Sequence, residues 1–246
     1  MNTIRSRSNS TIKSAKKLLQ KKYRKQSYLI EGWHLFEEAQ KADAKFLNIF
    51  VLDEMAYRVK DCPNVSLVTI EILKELSESP TPQGVIAEVA ITDVPSPEGL
   101  SGRYLFLEDV QDPGNVGTII RTADAAGFDG VFLSDKTVDI YNPKTLRSMQ
   151  GSHFHLPIWR QSTSDLLALF RASELQIVAT TLSKNSIDYK EVVNRDGFVL
   201  VLGNEGSGIS SEVAKVADQL VHISMPGQAE SLNVAVAAGI LIFSLI

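Results

Sequence analysis

Cysteine is almost absent from this chain of 246 residues. The single Cys62 excludes an internal disulfide and a metal site built from a cysteine cluster, and it suits a reducing compartment. Long apolar runs are also missing, because the longest, residues 232–246, is interrupted by Asn233 and Ser244 and falls short of the roughly 20 residues of a membrane helix. The basic N-terminus lacks the apolar core of a secretory signal. These absences predict a cytoplasmic protein without a membrane span.

Metal-binding spacings are missing as well. None of the four histidines forms an H-x-x-x-H or H-x-E pair, so we expect no metal site. What is present is an ordinary globular composition, with 44% apolar and 22% charged residues. The length allows one large domain or two modest ones.

Positive charge is concentrated at the start of the chain. The net charge is −4, yet residues 1–25 hold nine Lys or Arg side chains and no acid, which leaves 16 basic against 29 acidic residues in the rest. A basic segment on an acidic body attracts a polyanion locally, and nucleic acid is the first partner to consider. The alternative is a solvated amphipathic helix whose lysines only keep it in water. The nine residues are Arg5, Arg7, Lys13, Lys16, Lys17, Lys21, Lys22, Arg24 and Lys25.

A break in the apolar pattern divides the rest of the chain. Residues 93–102 contain two prolines and two glycines between apolar segments. We therefore predict a basic N-terminal arm or helix over residues 1–25, a small α/β domain over 26–92, a linker over 93–102, and a larger domain over 103–246.

Short apolar runs alternate with helical patterns in both predicted domains, which indicates an α/β fold. In the larger domain the alternation predicts a mostly parallel sheet with helices on both faces. The predicted strands of the first domain are 28–30, 46–52, 65–68 and 85–89, with helices over 32–41 and 70–77. Those of the second are 104–107, 130–133, 154–158, 176–180, 198–202 and 220–223.

Three loops follow predicted strands, where the ligands of open α/β sheets bind. In the first, residues 108–127, either Asp112 or Asn115 can cap a helix over 115–126. Arg121 lies less than two helical turns beyond Asn115, near enough to the helix start to serve the same site. The alternative is a capped core helix with one exposed arginine.

The second loop, residues 203–208, contains three glycines, but not in the G-x-G-x-x-G spacing of dinucleotide sites. Glu205 at its centre would repel phosphate and so favours a neutral or cationic ligand, although a plain tight turn is the alternative. The third loop, residues 223–239, starts the final apolar helix at Ser231 or Asn233, whose side chains could also be simple helix caps.

Three ordered motifs carry a family resemblance. They are N-x-G-x-x-x-R-T-A-D-A-A-G at 115–127, G-N-E-G-x-G-I at 203–209, and I-x-M-x-G-x-x-E-S-L-N-V at 223–234. Together they resemble the SpoU (TrmH-like) branch of the SPOUT RNA methyltransferases. Residues 28–32 and 81–84 look like parts of that family's L30e-like substrate-binding domain.

The resemblance implies a C-terminal SPOUT domain with a trefoil α/β knot and a smaller N-terminal L30e-like domain. It implies methyl transfer from S-adenosylmethionine to a ribose 2′-hydroxyl of RNA, with 23S rRNA as the first candidate and tRNA as the alternative. It also implies a homodimer that completes the active site. Neither a metal nor a membrane is expected as a partner.

Site residues follow from the same resemblance, position by position. The implied catalytic residues are Asn115, Arg121, Glu205, Ser231 and Asn233. The implied cofactor contacts are Thr180, Gly203, Asn204, Glu205, Ile223, Met225 and Leu232.

The chemistry agrees with these residue types. S-adenosylmethionine is already a good methyl donor, so the protein must chiefly align the hydroxyl and ease its proton loss. Since a guanidinium does not readily lose a proton, we expect Arg121 to stabilise the developing alkoxide, with an RNA phosphate or a nearby polar group accepting the proton.

Other function classes remain open at this point. A non-catalytic RNA-binding module in ribosome assembly would differ by failing to bind the cofactor. A Rossmann-type nucleotide enzyme is disfavoured by the glycine spacing, and a purely structural dimer leaves the basic segment unexplained.

Overall fold

The computed structural model describes residues 1–193 and 196–246. They form two units, the first comprising Met1–Asp93 with Tyr141–Phe154 and the second Val94–Ile140 with His155–Ile246. The strands are β1 (Asn2–Ile4), β2 (Ser27–Glu31), β3 (Phe46–Leu52), β4 (Val65–Val68), β5 (Val85–Ala90), β6 (Arg103–Leu107), β7 (Gly130–Leu133), β8 (Ile158–Arg160), β9 (Gln176–Thr180), β10 (Ile187–Asp188), β11 (Phe198–Leu202) and β12 (Gln219–His222). The helices are α1 (Ser10–Lys17), α2 (Trp33–Lys41), α3 (Ile70–Leu76), α4 (Pro113–Ala125), α5 (Pro143–Met149), α6 (Thr163–Ala172), α7 (Ser211–Val216) and α8 (Val234–Ser244).

The first unit is built on a mixed five-stranded sheet in the order β1-β4-β3-β5-β2. β3 and β5 are antiparallel, and β1, β4 and β3 run parallel. Leu29, Phe50 and Ile86 of the sheet pack with apolar residues of α1 and α3 in one buried cluster. The alternating period of the strands and the helical period of α1 and α3 therefore place their apolar residues in a common core.

The second unit is built on a seven-stranded sheet in the order β10-β12-β9-β11-β6-β7-β8, in which every pairing is parallel. All five residues of β11 are buried, as expected of a central strand covered on both faces. α6 and α7 pack on one face around Phe106, Phe132 and Val201. α4 and α8 pack on each other and contact β7 and β11. The predicted α/β class and parallel sheet are confirmed, whereas the trefoil knot stays a prediction.

The basic residues 1–25 do not form a separate arm. β1 pairs with β4, and Ile12 and Ala15 of α1 are buried in the core of the first unit. The amphipathic spacing of α1 provides the reason, because an apolar stripe on a helix is stabilised only when it is covered. The segment, predicted as an arm or helix, thus contains the helix α1 and belongs to the same unit as the residues that follow it.

The predicted strand over 154–158 is wrong. Ser152–Phe154 form a 3-10 turn instead, and β8 begins only at Ile158. Gln150 and Gly151 both have positive φ, 53° and 95°, which turns the chain out of an extended path. The whole segment Tyr141–Phe154 belongs to the first unit, although the sequence-based boundaries assign it to the larger domain.

Residues of this segment make specific contacts with the first unit's sheet and helices. The Tyr28 hydroxyl lies 2.9 Å from His153 Nε2, and the rings of Tyr28 and Tyr141 are 4.3 Å apart. Burial, followed by the charge of Tyr141, raises the pKa of Tyr28 far above its ordinary value, so this phenol stays neutral. The chain thus passes between the two units after Asp93, after Ile140 and after Phe154.

Candidate active site

Three loops of the second unit meet beyond the carboxyl ends of their strands. The first follows β6, the second follows β11, and the third follows β12. β11 pairs with β6 and with β9, and β9 pairs with β12, so the parallel order of the sheet brings the three strand ends to one edge.

The second loop is closed by its own backbone. Asn204 N donates to Gly208 O at 3.0 Å, and Gly208 N donates to Asn204 O at 2.9 Å. Gly203 makes this closure possible, because a Cβ there would overlap the backbone of Gly208 and Ile209. The glycine is therefore required by close approach of two backbone segments.

Asn204 holds the second loop from within and ties it to the first. Its Oδ1 accepts from Gly206 N at 2.9 Å and Ser207 N at 3.1 Å, and its Nδ2 donates to Asp109 O at 2.9 Å. Asp109 has a φ of 58°, an uncommon conformation for a residue that is not glycine. Its N–H donates to Ser134 Oγ at 2.8 Å, which fixes this turn at the end of β6.

Glu205 connects the second loop to the start of α4. Its carboxylate accepts from Gln111 N at 3.1 Å, from Asp112 N at 3.0 Å and from Asn115 Nδ2 at 3.2 Å. Burial raises the pKa of Glu205, but these donors outweigh it and hold the pKa below the ordinary value of 4.5. The carboxylate is thus ionised at neutral pH and engaged by the first loop.

Asn115 bridges the second and third loops. While its Nδ2 donates to Glu205, its Oδ1 accepts from Asn233 Nδ2 at 3.0 Å. The helix cap itself is Asp112, whose Oδ1 accepts from Asn115 N at 2.9 Å. Because Asp112 caps α4, the side chain of Asn115 is available for this bridge. We call Glu205, Asn115 and Asn233 the polar relay.

Asn233 also begins the final helix. Its Oδ1 accepts from Ala235 N at 2.9 Å and from Val236 N at 3.3 Å, so α8 starts at residue 234 and Ser231 is not the cap. Ser231 is exposed and has no hydrogen bond to any described residue. The two candidates that the sequence left open therefore have different roles.

A cavity of about 670 Å³ lies between the second and third loops and the ends of β9 and β12. Most of the predicted cofactor and catalytic residues line it, including Ser231 and Asn233, and no Lys or Arg belongs to the lining among residues the structure describes. The predicted cofactor residues in the lining are Thr180, Gly203, Asn204, Glu205, Ile223, Met225 and Leu232. A site without cations suits a ligand that carries no phosphate.

Arg121 stands apart from this cavity. It is exposed on α4, six residues beyond Asn115, or about 9 Å along the helix axis. Within the described part of the chain its guanidinium has no hydrogen bond or ion pair. The structure therefore brings Asn115, Glu205, Ser231 and Asn233 together and leaves Arg121 outside the group.

The described residues contain no group of three or more His, Cys, Asp or Glu placed to hold a metal ion. Among the described helices, none has the length and apolar character needed to cross a membrane.

Comparison with known proteins identifies the family. Residues 102–243 match the SpoU rRNA Methylase family, and residues 9–87 match the MRM3-like substrate binding domain. Over its whole length the chain is 40% identical to the 23S rRNA (guanosine(2553)-2′-O)-methyltransferase RlmP of Bacillus subtilis (strain 168), of which it covers 99%. The chain belongs to the SpoU rRNA methylase family.

Solved SpoU-type structures agree with this assignment. The AdoMet-bound rRNA methyltransferase from Sinorhizobium meliloti is 33% identical, with a TM-score of 0.92 over 99% of this chain and 97% of that one. The SpoU methyltransferase AviRb from Streptomyces viridochromogenes, in complex with AdoMet, is 26% identical, with a TM-score of 0.83 over 96% of this chain and 97% of that one. The predicted enzyme class, an RNA 2′-O-methyltransferase, and the predicted cofactor, S-adenosylmethionine, are confirmed.

The structure of this SpoU methylase also contains site residues that the sequence did not indicate. Thr181, Leu182 and Ser183 after β9 and His222 at the end of β12 all line the cavity. His222 Nδ1 lies 3.0 Å from Ser186 Oγ, which links β12 to the loop after β9. The sequence offered one signal for the loop after β9, namely that it follows a predicted strand. The same rule identified the three loops described above.

Proposed function

We propose that this SpoU methylase transfers a methyl group from S-adenosylmethionine to the 2′-hydroxyl of a guanosine in 23S rRNA. The observation that carries the proposal is the full-length match to a relative named for that reaction. A match over both units supports the same RNA class, because the first unit carries the substrate binding domain. A cytoplasmic location follows if 23S rRNA is the substrate.

The cavity of the second unit fits the cofactor in size and in chemistry. Its volume of about 670 Å³ lies within the range of small-molecule sites, about 300–1,000 Å³. Leu202, Ile223 and Leu241 supply apolar walls. The glycines of the second loop, Gly203, Gly206 and Gly208, line the cavity as well. A sulfonium cation suits a lining that holds one carboxylate and no cation among the described residues.

The bound cofactor would supply a methyl group on a positively charged sulfur, and the chain's own residues would do the rest. The polar relay joins the three loops through hydrogen bonds of the chain itself. Ser231, at the cavity and without a hydrogen bond to a described residue, would contact the ribose. Arg121 would stabilise negative charge on the 2′-oxygen as its proton leaves for an RNA phosphate or a nearby polar group.

Arg121 lies outside the cavity of its own chain, and a second subunit would resolve this. α8 exposes Val236 and Phe243, and Ile246 beyond the end of the helix is also exposed. α4, which packs against α8, exposes Arg121. An apolar helix face next to an unpaired arginine suits an isologous contact, in which each subunit covers the other's α8 and presents Arg121 to the other's cavity. The proposed enzyme is therefore a homodimer with shared sites, and its C-terminal segment would form the family's knot.

Mapping 2′-O-methylated positions tests the reaction and its target. Unmethylated 23S rRNA and total tRNA, incubated separately with the protein and S-adenosylmethionine, should show one new methylated guanosine in 23S rRNA and none in tRNA. A new position in tRNA would contradict the RNA class. No methylation, together with no calorimetric binding of S-adenosylhomocysteine, would favour a non-catalytic RNA-binding module.

Mixing two inactive variants tests the shared site. Arg121→Ala subunits are exchanged with subunits carrying Asn204→Ala and Glu205→Ala. If the sites are shared, one site in each mixed dimer regains both parts, and activity returns toward half. A mixture that stays inactive after confirmed subunit exchange would place the whole site within one chain.

A further inference from the structure

In the folded protein, the nine cations of residues 1–25 fall into two groups. Three of them have partners within the first unit. Arg7 and Lys16 both form ion pairs with Glu75 of α3. The Arg24 guanidinium donates to Leu18 O at 2.8 Å and Leu19 O at 2.9 Å, which satisfies carbonyl groups just after α1.

The other six cations are exposed, and none has an ion pair with a described residue of the chain. No acid precedes Glu31, so nothing within the segment neutralises them. α1 and the 3-10 turn at Lys21–Tyr23 hold most of them on one continuous stretch of backbone. These six are Arg5, Lys13, Lys17, Lys21, Lys22 and Lys25.

An aromatic ring lies among these cations. Tyr23 is 42% exposed, and the ammonium groups of Lys22 and Lys17 lie 4.9 Å and 5.8 Å from its ring centre. Base stacking on an aromatic ring combined with cations along the backbone is how proteins bind single-stranded nucleic acid. A flexible acidic peptide would match the charge but would leave the ring without a stacking partner.

A membrane surface is the other polyanion that a basic amphipathic helix could meet, and the fold disfavours it. Binding at a membrane interface needs an apolar helix face that is free to enter the lipid. Ile12 and Ala15 of α1 and the following Leu18 are buried in the core of the first unit. α1 therefore presents cations without an apolar face.

The structure assigns to these six cations and Tyr23, which we name the basic platform, the binding of a single-stranded segment of the substrate RNA. The six cations would contact successive phosphates, and Tyr23 would stack on one base. This inference rests on the proposed function for the identity of RNA as the substrate. It adds a contact surface on the first unit.

Charge removal tests the platform better than truncation, because β1 and α1 belong to the core and their deletion would unfold it. The test variant of the full chain carries Lys13→Gln, Lys17→Gln, Lys21→Gln and Lys22→Gln. The control variant removes the same charge from exposed lysines elsewhere in the first unit, by Lys41→Gln, Lys45→Gln, Lys60→Gln and Lys74→Gln. Glutamine preserves the helix propensity of lysine.

Binding of a mixed-sequence single-stranded oligoribonucleotide is measured against salt concentration. Each lost phosphate contact should reduce the steepness of log K against log salt by about 0.7. The slope of the test variant should therefore be shallower than that of the wild type by roughly 3, and the slope of the control variant should be almost unchanged. Tyr23→Leu should weaken RNA binding roughly tenfold without changing the salt slope. Tyr23→Trp should bind RNA as tightly as the wild type, because the indole ring can also stack on a base.

Three results would overturn the platform. They are an unchanged slope in the test variant, an equal loss in the control, and binding to phosphatidylserine vesicles as tight as binding to RNA. Calorimetry with S-adenosylhomocysteine and methylation mapping separate this inference from the proposed function. If the wild type methylates 23S rRNA and the test variant has an unchanged salt slope, only the platform is refuted. If the wild type binds RNA through the platform but methylates no RNA, only the proposed function is refuted.

Discussion

Two sets of polar residues lie in the three loops of the second unit and on α4, and they differ in whether the protein itself supplies their partners. Glu205, Asn115 and Asn233 have all their principal donors and acceptors engaged by one another or by backbone N–H groups. Arg121 and Ser231 have no hydrogen bond to a described residue, although the family motif includes both. The first set is satisfied by the chain itself, and the second is available to a ligand.

We therefore expect the polar relay to hold the loops of the site in position, and Arg121 and Ser231 to act on the substrate. A side chain bonded on every side fixes the positions of loops that are far apart in sequence, and its removal should lower stability or cofactor affinity. A side chain without internal partners adds little to the folded state, and its removal should lower turnover alone. Each of the following variants breaks or sharpens this contrast.

Arg121→Ala should produce the largest effect, and on turnover only. Its guanidinium has no partner within the described chain, so little stability should be lost. If Arg121 stabilises the developing alkoxide as proposed, turnover should fall on the order of 10²-fold or more. Single-turnover methylation and calorimetry with S-adenosylhomocysteine separate rate from affinity. Arg171→Ala, which removes an exposed arginine from α6, serves as the charge control. Retained turnover within a factor of three would contradict the role of Arg121.

Gly203→Ala should mainly impair the construction of the site. The added methyl group would overlap the backbone of Gly208 and Ile209, and overpacking of this kind costs about 1–3 kcal/mol. We expect urea unfolding to show that loss of stability. We also expect the affinity for S-adenosylhomocysteine to fall roughly tenfold or more. The control is Gly206→Ala, whose Cβ would have an ordinary contact of 3.6 Å with Asn204 Oδ1. Equal stability of the two variants would show that the second loop adapts without cost.

The sequence could predict the features that depend on local signals, and it missed those that depend on contacts between distant residues. Strands β3, β9 and β11 match their predicted limits, because continuous apolar runs between turn residues are local signals. β1 was missed, since three residues become a strand only through pairing with β4, more than 60 positions away. The fold of residues 1–25 depends on that non-local pairing as well as on α1, whereas the charge pattern alone suggested an arm or helix.

In the site, the motifs predicted which loops would meet but not how they are joined. The bond from Gln111 N to Glu205 connects residues 94 positions apart, and no spacing rule encodes it. The choice of Asp112 over Asn115 as the cap of α4 also depends on such contacts, because Asn115 is engaged by Glu205 and Asn233. Local chemistry identified both candidates, and tertiary structure selected one.

Asn233→Ala and Ser231→Ala compare the two sets of residues within one loop. Asn233 caps α8 and donates to Asn115, so its truncation should lower the free energy of unfolding by about 1–2 kcal/mol. Ser231 has no such bonds, and Ser231→Ala should stay within about 0.5 kcal/mol of the wild type while its turnover falls. Urea unfolding and methylation assays of both variants make the comparison. Equal stability losses would remove the distinction between the relay and the unpaired set.

Glu205→Gln should give the smallest effect, one that depends on pH. Because the pKa of Glu205 in the folded protein lies below 4.5, its ionised form stabilises the fold above that pH, and the stabilisation is lost as pH falls through the folded pKa. Glutamine offers the donors one uncharged oxygen and cannot ionise. The wild type should therefore be more stable than the variant at pH 7, and the gap should narrow as pH falls below about 4.5.

Urea unfolding of both proteins between pH 7 and pH 3.5 measures that gap. Glu71, Glu75 and Asp188 also have lowered pKa values, but they are present in both proteins and cancel in the difference. A gap that stays constant with pH would mean that the shape of the side chain, and not its charge, connects the second loop to α4. A gap that closes in acid would show that the charge of Glu205 is directed at the backbone N–H groups of the first loop, where it helps to build the site.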